Sequence, residues 1–179
     1  MILGLFRSSR RPVIEALHGS VAAASRAPGL YASLGVPDTV EGRFESLCLH
    51  AMLALRSLRR LPPPADDVAQ DFVNHLFRQL EASLREMGVG DISVPKRMKR
   101  LAQAFYGRAA AYDAALDRGD RDALALVLGR NVLGGEAAPG LAAYALAADR
   151  ELAGRNLDAL LSGGVPFPLP ERFAHETAP

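Results

Sequence analysis

The sequence predicts an all-α fold, a single-domain bundle of about six or seven helices around a central apolar helix at about residues 39–60. Three observations carry this reading. Apolar residues recur three or four apart through successive segments, and no stretch sustains the two-residue alternation of a half-buried strand. Aromatic residues make up only 6%, Trp is absent, and Ala and Leu are abundant, a composition that suits closely packed helices better than a sheet. Gly and Pro fall between the periodic segments, where they end or begin helices. The 179 residues suffice for one domain with a sizeable core, and no repeat at a fixed period is present.

Taken in order, residues 1–11 set Ile2, Leu3, Leu5 and Phe6 beside Arg7, Arg10 and Arg11. Such a segment either touches an anionic membrane surface or docks and frays as a terminus. A helix follows over 12–26, with Pro12 in its first turn and Val13, Leu17, Val21 and Ala24 on one side. Pro28-Gly29 breaks it, and Leu30, Tyr31 and Leu34 form a short apolar turn ended by Gly35. Asp38 or Thr39 then caps the helix at about 39–60, with acidic Glu41 in its first turn.

That helix is apolar around most of its circumference, and at ~100° per residue only Arg43, Ser46, His50 and Ser57 form a polar stripe. A helix of this kind is surrounded by others, so His50 reads as a hydrogen-bonded core histidine before it reads as a ligand. Pro62-Pro63-Pro64 makes an extended linker, after which Asp66 and Asp67 open an amphipathic helix to Met87. A Gly88-Val89-Gly90-Asp91 turn follows, then a basic helix to about Asp117. Gly119 stops it, residues 121–133 form a shorter helix closed by Gly134-Gly135, and Pro139 begins a final helix to about Leu161. Helical residues 12–162 thus make the domain, and the Pro-rich segment 163–179 reads as an extended or flexible tail.

The charge pattern is local. The net charge is +1, which excludes a globally basic nucleic-acid binder, and there is no helix-turn-helix signature for reading DNA. Lys96, Arg97, Lys99 and Arg100 nevertheless crowd the start of the basic helix, with Asp91 or Ser93 as its cap, and no acid occurs between Asp91 and Asp113. Cations at a helix N-terminus oppose the macrodipole, so the arrangement reads as an acceptor for anions or acidic partners, or else as a face neutralised from elsewhere in the fold. Lys96, Arg97, Arg100 and Arg108 share a strip about 120° wide. Gly107, inside this helix, either allows a close helix crossing or marks where a partner backbone approaches.

Catalytic and metal signatures are missing. Ser/His/Asp and Cys/His arrangements are not signalled, and Gly88 and Gly90 do not follow a strand as a dinucleotide fingerprint would require. His18, His50, His75 and His175 lack zinc-ligand spacing, and Glu45 and His50, five apart, lie on different faces. Cys48, the single cysteine, excludes an internal disulfide and reads as a small core residue. The start is not a signal peptide, since its apolar part precedes its charges, and no apolar run reaches the ~20 residues that span a bilayer. The expected location is cytoplasmic, with peripheral contact at the inner face of the membrane as an extension of the reading of residues 1–11.

Four stretches together resemble the ubiquinol–cytochrome c chaperone family, assembly factors for cytochrome b of the bc1 complex. They are Val36-Pro37-Asp38-Thr39 running into Gly42-Arg43-Phe44-Glu45 and Leu49-His50; Leu84 through Asp91; Val94 through Lys96-Arg97; and Ala104-Phe105-Tyr106-Gly107-Arg108 with Tyr112. The resemblance covers about residues 10–162. The chain departs from the family pattern near its start, at His18 and Ala24-Ser25. It resembles bacterial members, without the presequence and membrane-associated extension of mitochondrial ones.

The resemblance implies an all-helical factor that is not an enzyme and needs no cofactor. Such a factor binds newly made cytochrome b, and in mitochondrial relatives it works with a small partner protein at the ribosomal exit. Its implied client-facing residues are Arg43, Glu45, His50, Arg85, Gly88, Gly90, Asp91, Lys96, Arg97, Lys99, Arg100, Tyr106, Gly107 and Arg108. Two other readings of the same residues stay open. One is a ribosome- or RNA-associated module using the basic strip, and the other is a haem binder using His50 or Tyr106.

Overall fold

Helix α3 (Val40–Arg59) is the axis of the structure, because its apolar circumference can be covered only by neighbours on several sides. The computed structural model describes residues 3–162 and 164–177, the side chains of 3–9 and 177 excepted. Around α3 stand α1 (Leu3–Ala24), α4 (Ala65–Glu86), α5 (Val94–Arg118) and α7 (Pro139–Ala153), each in direct contact with it. The short α2 (Pro28–Ala32) joins α1 to α3, α6 (Arg121–Leu128) packs on α5 and α7, and α8 (Leu157–Ser162) returns to α1. A 3₁₀ segment, Pro170–Thr177, lies along α7. The described residues contain no strand.

Thr39 is the cap of α3, its Oγ1 accepting from the Gly42 N–H at 3.0 Å. Gly42 is required there for a second reason: a Cβ would stand 2.0 Å from the Pro37 carbonyl oxygen. The residues of the polar stripe beyond Arg43 are buried and satisfied. Ser46 donates to the Ser25 carbonyl at 2.8 Å and Ser57 to the Leu152 carbonyl at 3.0 Å. Cys48 is 2% exposed, and burial pushes its thiol well above the ordinary range, with Glu45 adding to the rise.

Four features differ from the sequence reading. Helix α1 runs through Pro12 instead of starting there. Contacts on both sides of the proline explain this: Arg10 reaches Asp67 and Asp71 of α4 at 3.4 and 3.7 Å, and Ile14, Leu17 and Val21 are buried. The expected membrane contact of residues 1–11 lies mostly outside the described side chains; of those described, Arg10 is ion-paired as above and Arg11 pairs with Glu15 at 2.7 Å.

The helix expected over 121–133 ends in a π turn, Gly129–Leu133. At Gly129 the Glu136 carbonyl comes so close that a Cβ would lie 1.7 Å from it. The final helix is two helices: Gly154 ends α7, and Asn156 Oδ1 accepts from the Ala159 N–H at 2.9 Å to start α8. The fourth difference is the tail, whose described part is packed. Val165 N–H donates to Ser20 Oγ at 2.8 Å, Phe167 lies 4.8 Å from the His50 ring, and Phe173 meets Tyr144 edge-on at 5.8 Å. Prolines tolerate this path because an extended chain lying on helices needs few of its own amides.

Candidate functional site

The turn between α4 and α5 is closed by backbone geometry. Gly88, at φ +79°, donates its N–H to the Arg85 carbonyl at 2.9 Å, and Val89 donates to the Leu84 carbonyl at 3.0 Å. This is a Schellman closure, and the positive φ is why glycine stands at 88. Arg85 holds the turn from the side, donating to Glu81 at 2.9 Å and to Asp91. Asp91 is thereby engaged and does not cap α5, and Ser93 makes no side-chain cap bond either. The first turn of α5 thus has neither an acid nor a side-chain cap to offset its dipole.

Lys96, Arg97, Lys99 and Arg100 are all exposed on this turn and the next, and no ion pair joins them to any acid among the described residues. Arg108, read from the sequence as the far end of the strip, behaves differently. It donates through Nε and Nη2 to both carboxylate oxygens of Glu45, each at 2.5 Å. Glu45 is 7% exposed; burial pushes its carboxyl up, and Arg108 pulls against that rise. This pair fastens α5 to α3, and its two side chains face each other instead of solvent. Arg43 is exposed and paired with Asp38 at 2.7 Å, which holds the Asp38 carboxyl below its ordinary range.

His50 is fully buried. Its Nδ1 lies 2.7 Å from the Ser46 carbonyl, which can only accept, so Nδ1 carries the proton and Nε2 accepts from the Tyr144 hydroxyl at 2.7 Å. Both ring nitrogens are therefore occupied, and the imidazole is a core element and not a surface contact. Burial pushes its pKa down to about 4. Tyr106 is 51% exposed, its ring stacked on Phe77 at 6.3 Å. Gly107 is exposed with open space where a Cβ would stand, so no close helix crossing requires it; the same open space surrounds Gly90.

Beside the basic end of α5 runs a groove of about 450 Å³ that the sequence reading did not foresee. It is lined by Val40, Phe44 and Leu47 of α3, by Leu80 and Leu84 of α4 with Met87 just past its end, and by Leu101 of α5, with Arg26 and Arg43 also among the lining residues. Val40 and Met87 are 63% and 56% exposed. The available signal was the breadth of apolar surface on α3, more than its neighbours cover at its N-terminal half. Sequence reading also missed a charge cluster at the opposite end of α3. There Arg56, 9% exposed, donates to Asp149 at 3.0 Å, Asp113 at 3.0 Å and Asp117 at 2.5 Å, and Arg60 holds both oxygens of Asp149 at 3.0 Å. These contacts tie α3, α5 and α7 together.

Every buried side-chain N or O atom among the described residues has a hydrogen-bond partner, and no group of three His, Cys, Asp or Glu among them is placed to hold a metal. No described helix is long and apolar enough to cross a membrane. What stands out on the all-helical fold is an apolar groove with, on the helix that contributes Leu101, four exposed cations that have no ion partner among the described residues. Residues 32–167 match the family model described as ubiquinol-cytochrome C chaperone, and the chain belongs to that family. It is similar to the crystal structure of the Cbp3 homolog from Brucella abortus, with 39% identity and a TM-score of 0.83 over 96% of this chain and 99% of that one. No curated protein matches the chain.

Proposed function

We propose that this protein is a non-enzymatic assembly chaperone that binds newly synthesised cytochrome b during biogenesis of the cytochrome bc1 complex. Family membership supports the process. The observation that carries the means is the set of four exposed cations, Lys96, Arg97, Lys99 and Arg100, left without ion partners at an uncapped helix start. Holding such charges at a positive helix end costs stability, and an acidic partner offsets that cost. Arg43, Tyr106, Gly107 and the 85–91 turn frame this client-facing surface, while Glu45, Arg108 and His50 hold its scaffold. The protein works at the cytoplasmic face of the membrane that receives cytochrome b, without a bound cofactor.

The test is a strain lacking the protein, read by dithionite-reduced absorbance spectra and by immunoblot for cytochrome b. Loss of cytochrome b with its message intact is the expected result, and the K96E/R100E variant should fail to restore it. Normal cytochrome b in the deletion strain would refute the reading. The same four cations also favour RNA phosphates, as on a ribosome. In that case ribosome association should fall steeply between about 50 and 200 mM salt.

A further inference from the structure

The groove and the basic helix start are adjacent, and their chemistry is complementary to one kind of segment. The groove walls are aliphatic and aromatic, with Glu41 the acid among its lining residues. Leu101 is among the lining residues, and Arg97, one turn earlier on α5, lies on the same side of that helix as Leu101. Arg26, also a lining residue, has no ion pair among the described residues.

We propose that this groove receives one apolar helical segment of a membrane protein, with flanking acidic residues seated against Lys96, Arg97 and Arg100. The class of client rests on the chaperone reading above; the site and its preference for acidic flanks do not. Three features select this occupant. The volume of about 450 Å³ suits a row of side chains from one helix laid between α3 and α4. The surface is concave, with Val40 and Met87 among its lining residues, which fits a rod better than a flat bilayer. Arg26 and Arg43 are among the groove's lining residues, and the unpaired cations Lys96, Arg97 and Arg100 stand on α5, the helix that contributes Leu101, so a segment that carries acidic residues is matched in charge.

The experiment uses the purified full chain and two fluorescein-labelled 18-residue peptides, helical and Leu/Ala-rich. One ends in Glu-Glu and its twin in Lys-Lys, and binding is read by anisotropy. The Glu-Glu peptide should bind at least about tenfold more tightly than its twin. The V40E/M87E variant, altered at two exposed positions, should keep its thermal melt and bind the Glu-Glu peptide at least about tenfold more weakly. The K96E/R100E variant should lose the preference between the peptides. Equal binding of the two peptides, wild-type affinity in V40E/M87E, or no peptide binding would each overturn the proposal. So would phosphatidylglycerol vesicles binding through Val40 and Met87 where peptides do not, since the groove would then serve lipid. A deletion strain with normal cytochrome b alongside discriminating peptide binding would sink the assembly reading and leave the groove assignment standing. Loss of cytochrome b without peptide binding would do the reverse.

Discussion

The His50 imidazole and the Tyr144 hydroxyl meet at 2.7 Å in the middle of the bundle, where neither side chain reaches solvent. The pair joins α3 to α7 and requires a neutral imidazole, because Nε2 must accept. With the pKa pushed down from 6.5 to about 4, the unfolded chain binds a proton that the folded chain refuses. The contribution of His50 to stability is therefore complete above pH 6.5 and is lost as the pH falls toward 4. Its size is about 3 kcal/mol. Burial lowers the pKa of His18 and His75 as well, so both add to the same acid limb. His50→Gln should flatten, without abolishing, the loss of urea stability between pH 6.5 and 4. Tyr144→Phe leaves Nε2 without its donor and should cost about 1–3 kcal/mol at pH 7.

Arg56 makes a contrast within one cluster. Its side chain is 10% exposed and reaches three aspartates, whereas the side chain of Asp117 is 67% exposed. Arg56→Ala would leave Asp149 with Arg60 alone and bury poorly compensated charge, at a cost of about 3 kcal/mol. Asp117→Ala removes only the solvent-facing contact and should cost less than about 1 kcal/mol. Urea denaturation of the two variants checks the ratio. Equal losses would mean that the cluster is less desolvated at Arg56 than its burial indicates.

Two glycines make opposite predictions. At Gly42 a methyl group would meet the Pro37 carbonyl oxygen at 2.0 Å, backbone that cannot move without displacing the start of α3. Gly42→Ala should destabilise the fold by about 1–3 kcal/mol. Gly107 lies in the middle of α5 with open space around the added Cβ. Gly107→Ala should stabilise by about 0.5–1 kcal/mol, since glycine in an exposed helix costs that much. Thermal melts of both proteins test the pair of signs.

The parts legible in the sequence were those fixed by local chemistry. Thr39 at the start of α3, the apolar face of α4 and the glycine at 88 follow from capping, helical periodicity and left-handed backbone. Long-range contacts set what was missed. Pro12 alone signals a helix start, yet Arg10 bound to Asp67 and Asp71 carries the helix past it. Proline content alone signals a loose tail, yet Phe167 and Phe173 find His50 and Tyr144. At the site, the absence of an acid between 91 and 113 left the four cations without neighbours of opposite charge in sequence, and no ion pair joins them to an acid among the described residues. The same reasoning failed for Arg108, because its partner Glu45 is 63 residues away. The groove was hidden for a related reason. A helix apolar on nearly all sides does not reveal which side its neighbours leave open.

The start of α5 gives a prediction in which stability and function move in opposite directions. Lys96 and Arg100 sit in the first two turns of a helix that lacks both a first-turn acid and a side-chain cap. Replacing Lys96 by Glu exchanges a repelled charge for an attracted one, worth about 0.3–1 kcal/mol, and the gain at Arg100, beyond the first turn, is smaller. K96E/R100E should therefore melt about 1–3 °C above the parent. In cells the same variant should yield less mature cytochrome b. A merely structural role for these cations would move both readouts together, with a lower melt accompanying the lost assembly. A raised melt with lost assembly requires that the cations be kept for something outside the chain.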